Sequence, residues 1–246
     1  MSPKTLARLT GASLLLVLIG GVVAQGLIAN RLVSSRDAGV TATNILSHTQ
    51  LYRLGFTVFL VEMAAQTAMV TLFYVLLRLV NRTAALLSLV FGVVGATIKT
   101  LARAFYYAPL LLLGGAGGAA YLTVFDASQL QALSLLFIKI NNQIAAIALV
   151  FLGVSTFFQG YLIVKSTFLP RFLGVLALVS GFAWLSYLYP PLGSALFYYL
   201  IVFALLSALL TTAWLLVRGV DEQRWREQAQ LAPFVPPLPT GEGDRG

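Results

Sequence analysis

The sequence predicts an all-α integral membrane protein, a six-transmembrane-helix bundle with both termini in the cytoplasm. Of its 246 residues, 59% are hydrophobic and only 10% are charged, whereas about a quarter of the residues in a soluble domain are charged. Six apolar stretches are long enough to cross a hydrocarbon core about 30 Å thick. Most Lys and Arg residues lie in the loops on one side of these stretches, which is the bias that orients membrane proteins.

The six predicted spans are continuous apolar runs separated by polar or proline-containing segments. They cover about residues 9–28, 54–77, 84–110, 130–164, 172–189 and 194–217. Lys4 and Arg8 precede the first span, as they would in a secretory signal peptide, but a run of this length fits a retained helix better. We treat residues 1–220 as one transmembrane domain and residues 221–246 as a cytoplasmic tail that is partly disordered.

A short amphipathic helix is predicted on the membrane surface between the first two spans. Asp37 is a candidate N-cap, and Val40, Ile45 and Leu46 recur at roughly helical spacing. A helix of this kind lies in the interface with its apolar side toward the bilayer. His48 is interpreted as a solvent-facing residue of this segment.

The fourth span begins with the sequence of a capped helix. Asp126 is followed three residues later by Gln129, which is the spacing of a capping box. The preceding stretch Gly114–Gly118 is interpreted as a flexible outer loop, because no Lys-Ser or Lys-Thr pair follows it as in a phosphate-binding loop. The proline-rich end of the tail is interpreted as disordered.

The orientation follows from the distribution of basic residues between the loops. Ten of them share one side of the predicted membrane: Lys4, Arg8, Arg78, Arg82, Lys165, Arg171, Arg218, Arg224, Arg226 and Arg245. The opposite side holds Arg31, Arg36 and Arg53. Loops rich in Lys and Arg stay in the cytoplasm, so both termini are predicted to be cytoplasmic. The same distribution accounts for the net charge of +8 without any binding to nucleic acid.

Few side chains could support metal or covalent chemistry. The chain has no cysteine and one histidine, so thiolate sites are excluded and a histidine metal site is not expected. No HExxH, Ser-x-x-Lys or paired-carboxylate pattern is present. We therefore predict no cofactor, and we expect an enzymatic function only if Glu62 or Lys139 served as a base.

Polar side chains inside the second, third and fourth spans are the main functional signal in the sequence. The set comprises Glu62, Gln66, Lys99, Arg103, Lys139, Asn142 and Gln143. Charged residues within spans are costly, and they usually face partners or water. The members on each span are three or four residues apart, so each set shares one helix face. Glu62, Lys99 and Lys139 also lie at a similar estimated depth, about 12–15 Å below the outer ends of their helices.

These features predict a polar intramembrane pocket that opens to the outside. Glu62 is expected to pair with Lys99 or Lys139, because an isolated buried charge is unfavourable. One acid faces three bases, so the pocket carries surplus positive charge and suits a small anionic ligand or a lipid headgroup. Lys99 and Lys139 would contact the anion, and Asn142 and Gln143 would orient it.

A function of a different class fits the same residues. Asn and Gln side chains hydrogen-bond between membrane helices, and one ion pair can lock two helices together. The protein would then be a non-catalytic scaffold or an assembly subunit. The sequence leaves the choice open, together with the oligomeric state, and it predicts membrane lipids as partners in either case.

The segment Gly160–Gly174, with the sequence GYLIVKSTFLPRFLG, resembles the bacterial domain of unknown function 4386 family. Further similar stretches are Ala42–Gly55, Tyr74–Asn81 and Gln129–Phe137, and the resemblance extends to about residue 220. The resemblance implies six helices and a bacterial inner membrane. It implies no activity.

Overall fold

The computed structural model describes residues 1–114 and 122–231. Within these ranges the chain forms helices and no β-strand. The nine described α-helices are α1 (Pro3–Gly21), α2 (Asn30–Leu32), α3 (Ala38–Ser47), α4 (Thr49–Leu77), α5 (Arg82–Gly114), α6 (Ala127–Lys165), α7 (Arg171–Trp184), α8 (Pro190–Val217) and α9 (Glu222–Leu231). A π-helical segment, Val22–Ala29, joins α1 to α2, and a 3-10 segment, Leu185–Leu188, extends α7.

Six helical stretches of the described chain are long and apolar enough to cross a membrane. They are Pro3–Leu32, Thr49–Leu77, Arg82–Gly114, Ala127–Lys165, Arg171–Leu188 and Pro190–Val217. The predicted all-helical architecture with six spans is therefore confirmed. The loop predicted at Gly114–Gly118 lies, beyond Gly114, outside the described residues, and so does the predicted disordered end of the tail after Leu231.

The helix ends predicted from polar residues are formed by those residues. Asp37 accepts a hydrogen bond from the backbone N–H of Val40 at 2.9 Å and caps α3. Asp126 accepts from the backbone N–H of Gln129 at 2.8 Å, and the Gln129 side chain accepts from the backbone N–H of Asp126 at 2.9 Å, which completes the capping box. Hydrogen bonds from Ser128 and from the Gln129 backbone hold the pKa of Asp126 below its ordinary value.

One side of α3 faces the bundle. Thr41, Ala42 and Ile45 are buried, whereas Val40 and Leu46 are exposed. Roughly helical spacing identified the helix. Thr41, Ala42 and Ile45 lie on the side of α3 that packs against α6 and α5, and Val40 and Leu46 lie on other sides.

The spans pack as a ring that follows their order in the chain. Each spanning helix lies beside its neighbour in sequence, from α1 through α4, α5, α6 and α7 to α8, and α8 closes the ring by packing against α1. Such short, sequential connections make chain neighbours into neighbours in space. One end of the ring carries Arg78, Arg82, Lys165 and Arg171, and we call it the basic end.

The interior of the ring contains two apolar clusters, one in each half. The cluster at the basic end includes Phe73, Leu77, Ile163, Phe168 and Leu215, and α9 closes this end through Trp225. The cluster in the other half is formed by the π-helical segment, α2, α3, α4, α5 and α6. Helix α8 contributes to the first cluster and not to the second.

The half of α8 away from the basic end is largely exposed. The four consecutive residues Leu196–Tyr199 are each 37–79% exposed. Gly193 is buried, because the start of α8 packs against the 3-10 segment, and a Cβ on Gly193 would lie 2.6 Å from the Tyr187 ring. Ser207, Thr211 and Leu215, nearer the basic end, are also buried. More of α8 is therefore buried toward the basic end than toward its start.

Helices α6 and α7 approach each other closely because glycines line their crossing. Gly153 and Gly160 of α6 face Gly181 and Gly174 of α7. A Cβ atom on Gly174 would lie 2.6 Å from the backbone nitrogen of Val164, and one on Gly160 would lie 2.7 Å from the carbonyl oxygen of Gly174. Small residues allow this approach in membrane helices, where van der Waals packing is a main source of helix association.

Candidate functional site

An ion pair between α4 and α5 lies in the half of the ring away from the basic end. Lys99 Nζ donates to Glu62 Oε1 at 2.6 Å. Glu62 is only 2% exposed. It fits beside α1 because Gly20 has no side chain, and a Cβ there would lie 2.9 Å from the Cβ of Glu62. Of the two predicted partners of Glu62, the structure shows Lys99.

A second polar contact joins α5 to α6 one helical turn further along. Arg103 Nη1 donates to Asn141 Oδ1 at 3.1 Å, and the guanidinium carbon lies 3.7 Å from the centre of the Phe59 ring. Arg103 is buried rather than extended toward the headgroups. Its environment combines a cation–π contact with a hydrogen bond. We call Glu62, Gln66, Lys99, Arg103 and Asn141 the polar cluster.

Two tyrosines cover the polar cluster on the side of α3. The Tyr52 hydroxyl donates to the carbonyl oxygen of Tyr106, and the two rings stack with centroids 4.4 Å apart. Phe59 meets the edge of the Tyr106 ring at 5.1 Å. Both tyrosines are fully buried. The rings of Tyr52, Phe59 and Tyr106 thus separate the charged side chains from the end of the bundle opposite the basic end.

Four polar atoms in this region are buried and have no hydrogen-bond partner among the described residues. They are Glu62 Oε2, Gln66 Oε1, Arg103 Nε and the Tyr106 hydroxyl. Two of these atoms only accept hydrogen bonds, one only donates, and the hydroxyl does either. A buried polar atom without a partner costs free energy, so its presence in a native structure calls for an explanation.

The charges of the polar cluster do not cancel. One carboxylate, Glu62, faces two cations, Lys99 and Arg103, which leaves one positive charge in excess. An uncompensated cation in a membrane interior is unfavourable unless a partner or water meets it.

Lys99 is the accessible member of the cluster. Its side chain is 17% exposed, against 3% for the side chain of Glu62. It shares a helix face with the buried Ala96 and Arg103, while Leu101, on the opposite face, is 64% exposed. The accessible part of Lys99 therefore faces the bundle interior rather than the lipid side of α5.

Three of the predicted pocket residues do not join the cluster. Lys139, Asn142 and Gln143 are exposed on α6. Lys139 and Gln143 lie on a different side of the helix from Asn141, which faces α5, and Asn142 contributes only a contact to Asn141 at 2.9 Å. The structure therefore does not bring these three residues into the cluster, and their role in ligand binding stays a prediction.

The length of α6 determines how far Lys139 lies from the basic end. The helix has 39 residues, which gives a length of about 58 Å, much more than a hydrocarbon core of about 30 Å. Counted along the helix from Lys165, Lys139 lies about 39 Å away. Glu62 and Lys99 lie about 24–26 Å from Arg78 and Arg82. Lys139 therefore lies about 13–15 Å further from the basic end than the ion pair.

Asn141 and Phe59 belong to the site but were not predicted. Asn141 follows the buried Ser134 and Ile138 at helical spacing, and this periodicity was the available signal for its inward direction. Phe59 carries no polar atom, and only the structure shows that it supports Arg103.

A local irregularity of the first span lies beside the cluster. The π-helical segment Val22–Ala29 begins directly after Gly20 and Gly21, the two residues nearest Glu62 on that span. Single π-helical turns are rare and occur frequently at functional sites. A Cβ on Gly26 would have no atom within 4 Å, whereas Ala24, Ile28 and Ala29 of the same segment are buried.

Residues 9–219 match the protein family described as Domain of unknown function (DUF4386). The chain belongs to the DUF4386 family. No curated protein and no solved structure matches it. The segment Gly160–Gly174, which resembles other DUF4386 sequences, forms the end of α6, the buried turn at Phe168 and Leu169, and the start of α7. Its two terminal glycines are the ones that meet in the α6–α7 crossing.

Proposed function

We propose that this protein binds a small anionic ligand inside its helical ring, at the polar cluster. The observation that carries the proposal is the excess positive charge at Lys99 and Arg103 together with the four buried atoms that lack partners. We further propose that it lies in a bacterial inner membrane with both termini and the basic end in the cytoplasm. The cluster would then lie in the outer half of the membrane.

The electrostatics favour an anion over a neutral ligand. The Glu62–Lys99 pair is close to balanced, so the Arg103 guanidinium represents the surplus charge. Arg103 Nε is a free donor beside it, and charge-assisted hydrogen bonds to anionic oxygens are among the strongest polar contacts in proteins. An anion at this position would neutralise the cluster and satisfy the free donor at the same time.

Ligand access requires a local opening. Glu62 and Arg103 are both buried, and Gly20 of the first span packs against Glu62. Lys99 is the member that a ligand would reach first, because part of its side chain faces the bundle interior.

The helix-locking role is the second candidate, and a specific observation favours it. The Glu62–Lys99 pair joins α4 to α5, and the Arg103–Asn141 bond joins α5 to α6. Polar contacts of this kind hold membrane helices together. The two candidates make opposite predictions for the effect of Arg103 on stability. A surplus buried charge lowers the stability of the bundle, whereas a residue that locks helices together raises it.

Replacing Arg103 by methionine is expected to abolish anion binding without lowering stability. The variant removes the surplus buried charge and the free donor, and it keeps the Glu62–Lys99 pair. The thermal unfolding temperature of the detergent-solubilised protein would be measured with chloride, acetate, inorganic phosphate and short-chain phosphatidylglycerol. We expect at least one of these anions to stabilise the wild type, with an affinity loss of about tenfold or more in Arg103→Met.

Two further variants make this experiment decisive. Arg103→Lys keeps the charge and should retain part of the binding, while Lys139→Met removes an exposed cation and should leave binding unchanged. If no anion stabilises the wild type, the proposal fails. If Arg103→Met lowers the unfolding temperature in the absence of any added anion, Arg103 is a locking residue and the second candidate is correct.

A further inference from the structure

We infer that the pair Tyr52–Tyr106 is a gate, and that the ligand reaches the polar cluster past it, from the end of the bundle opposite the basic end. This inference rests on the proposed function and names the control of access to that site. It draws on the close helix contacts on one side of Lys99, the aromatic layer on the other side, and the hydroxyl group that this layer leaves without a partner.

The side of the polar cluster toward the basic end is closed by direct contact between helices. A Cβ on Gly92 of α5 would lie 2.8 Å from Ser155 Oγ of α6 and 2.9 Å from Val70 Cγ1 of α4. Ser155 Oγ donates to the carbonyl oxygen of Ser88 at 2.7 Å, and Ser88 Oγ donates to the carbonyl oxygen of Ser155 at 3.0 Å. The apolar cluster of the basic end and α9 follow beyond these contacts. Small residues let membrane helices touch in this way, and the contacts close the space between α4, α5 and α6.

The other side of the polar cluster is covered by aromatic rings. Tyr106 lies about 10 Å further along α5 than Lys99, and Tyr52 lies about 15 Å from Glu62 along α4. The two tyrosine rings stack, the Tyr52 hydroxyl donates to the carbonyl oxygen of Tyr106, and Phe59 meets the edge of the Tyr106 ring. A ring stack and one neutral hydrogen bond are each weak contacts. This layer therefore opens more readily than the helix contacts at Gly92.

Both chain segments that carry the tyrosines have an irregular point close to the pair. Pro109 lies inside α5, and a proline within a helix removes a backbone hydrogen bond and permits a kink. His48 separates α3 from α4 with a non-helical backbone, at φ −124° and ψ 39°. The hydrogen bond from Tyr52 to Tyr106 ties these two places together. A bend of α5 at Pro109 and a swing of α3 about His48 would part the rings while the contacts at Gly92 persist.

The two hydroxyl groups of the pair act in opposite directions. The Tyr52 hydroxyl has its partner while the rings are stacked, so it stabilises the closed gate. The Tyr106 hydroxyl is buried and has no hydrogen-bond partner among the described residues, although a hydroxyl can both donate and accept. It gains water or a ligand oxygen as a partner when the rings part, so it favours the open gate. The ring stack itself depends on neither oxygen.

The absence of cysteine from the chain allows thiol labelling of the full-length protein to test the gate. Gln66→Cys would place one thiol in the polar cluster, and its rate of reaction with sulfonatoethyl methanethiosulfonate, a small anionic reagent, would be measured in detergent micelles. Adding Tyr52→Phe should raise this rate about fivefold, the effect of one lost hydrogen bond. Adding Tyr106→Phe should leave the rate unchanged or lower it. Tyr74→Phe, the same change on the part of α4 at the basic end, is the matched control and should have no effect.

A second reporter separates gating from a general loosening of the bundle. Ser155→Cys places the thiol at the contact with Gly92, and its labelling rate should not respond to Tyr52→Phe. The gate is wrong if both reporters accelerate equally, or if Tyr52→Phe acts no differently from Tyr106→Phe and Tyr74→Phe. The labelling rate does not require anion binding, so the two proposals can fail separately. If Tyr52→Phe accelerates only the reporter in the polar cluster and no anion stabilises the wild type, the route is correct and the proposed ligand is wrong.

Discussion

Replacing Lys99 by methionine is expected to destabilise the protein by about 3–5 kcal/mol, the usual cost of breaking a buried ion pair. The variant leaves Glu62, which is 2% exposed, without its partner. A carboxylate in this position can reach neither water nor the headgroup region without moving α4 away from α1 and α5. The free energy of unfolding would be measured by denaturant titration in mixed micelles.

The double variant Glu62→Gln/Lys99→Met is the control for this prediction. It removes both charges, so its stability should lie much closer to that of the wild type, since replacing a whole buried pair is often nearly neutral. Lys139→Met, which removes an exposed lysine, should have little effect. The account of the ion pair is wrong if Lys99→Met is no less stable than Lys139→Met, or if the double variant is as unstable as Lys99→Met.

Replacing Gly160 by leucine is expected to separate α6 from α7 and to prevent stable folding. Overpacking a core commonly costs about 1–3 kcal/mol, but the obstructing atoms here belong to the backbone of α7, which cannot rotate away as a side chain can. A Cβ on Gly160 already meets the carbonyl oxygen of Gly174 at 2.7 Å. The yield of monodisperse protein and its thermal unfolding temperature would be measured after identical purification.

Gly26→Leu is the matched control for the crossing. Gly26 also lies in an apolar span, but no atom lies within 4 Å of the Cβ position. This variant should accumulate like the wild type and unfold at a similar temperature. A normal unfolding temperature for Gly160→Leu would show that α6 and α7 do not pack through their glycines.

The fold could be predicted from the sequence because each spanning helix is recognisable from its length and composition. The hydrocarbon core requires apolar runs of this length with few charges, so the six spans followed directly from local residues. The caps at Asp37 and Asp126 also followed from local residues. The close crossing at Gly160 and Gly174 could not be predicted in the same way. The sequence shows glycines, but whether two of them meet depends on the rotation of both helices about their axes.

The members of the polar cluster were harder to predict for a related reason. In a soluble helix the contrast between polar and apolar faces shows which side is buried, but a membrane helix is apolar on its lipid side as well. Lys139 and Asn142 share a helix face with Gln143 by spacing, yet the residue that turns inward is Asn141, between them. Depth was equally uncertain because α6 extends well beyond the hydrocarbon core.

Lys99 is one of the two partners predicted for Glu62, and the structure shows this pair. Helix α4 ends and α5 begins at the tight turn between Arg78 and Arg82, so the distance of each residue from that turn is fixed by its number along the helix. A surplus of positive charge was predicted for the whole set of polar residues, but the burial of Arg103 against Phe59 was not. A buried charge that lowers stability, as Arg103 does, is typical of residues that serve binding rather than stability.

A structure determined by electron cryo-microscopy in nanodiscs that contain phosphatidylglycerol tests the central claim most directly. The account predicts density for an anionic group bounded by Gln66, Lys99 and Arg103. It predicts no corresponding density in Arg103→Met in the same lipid. A wild-type map in which the side chains of the polar cluster close on one another, with lipid only on the outer surface of the ring, would contradict it.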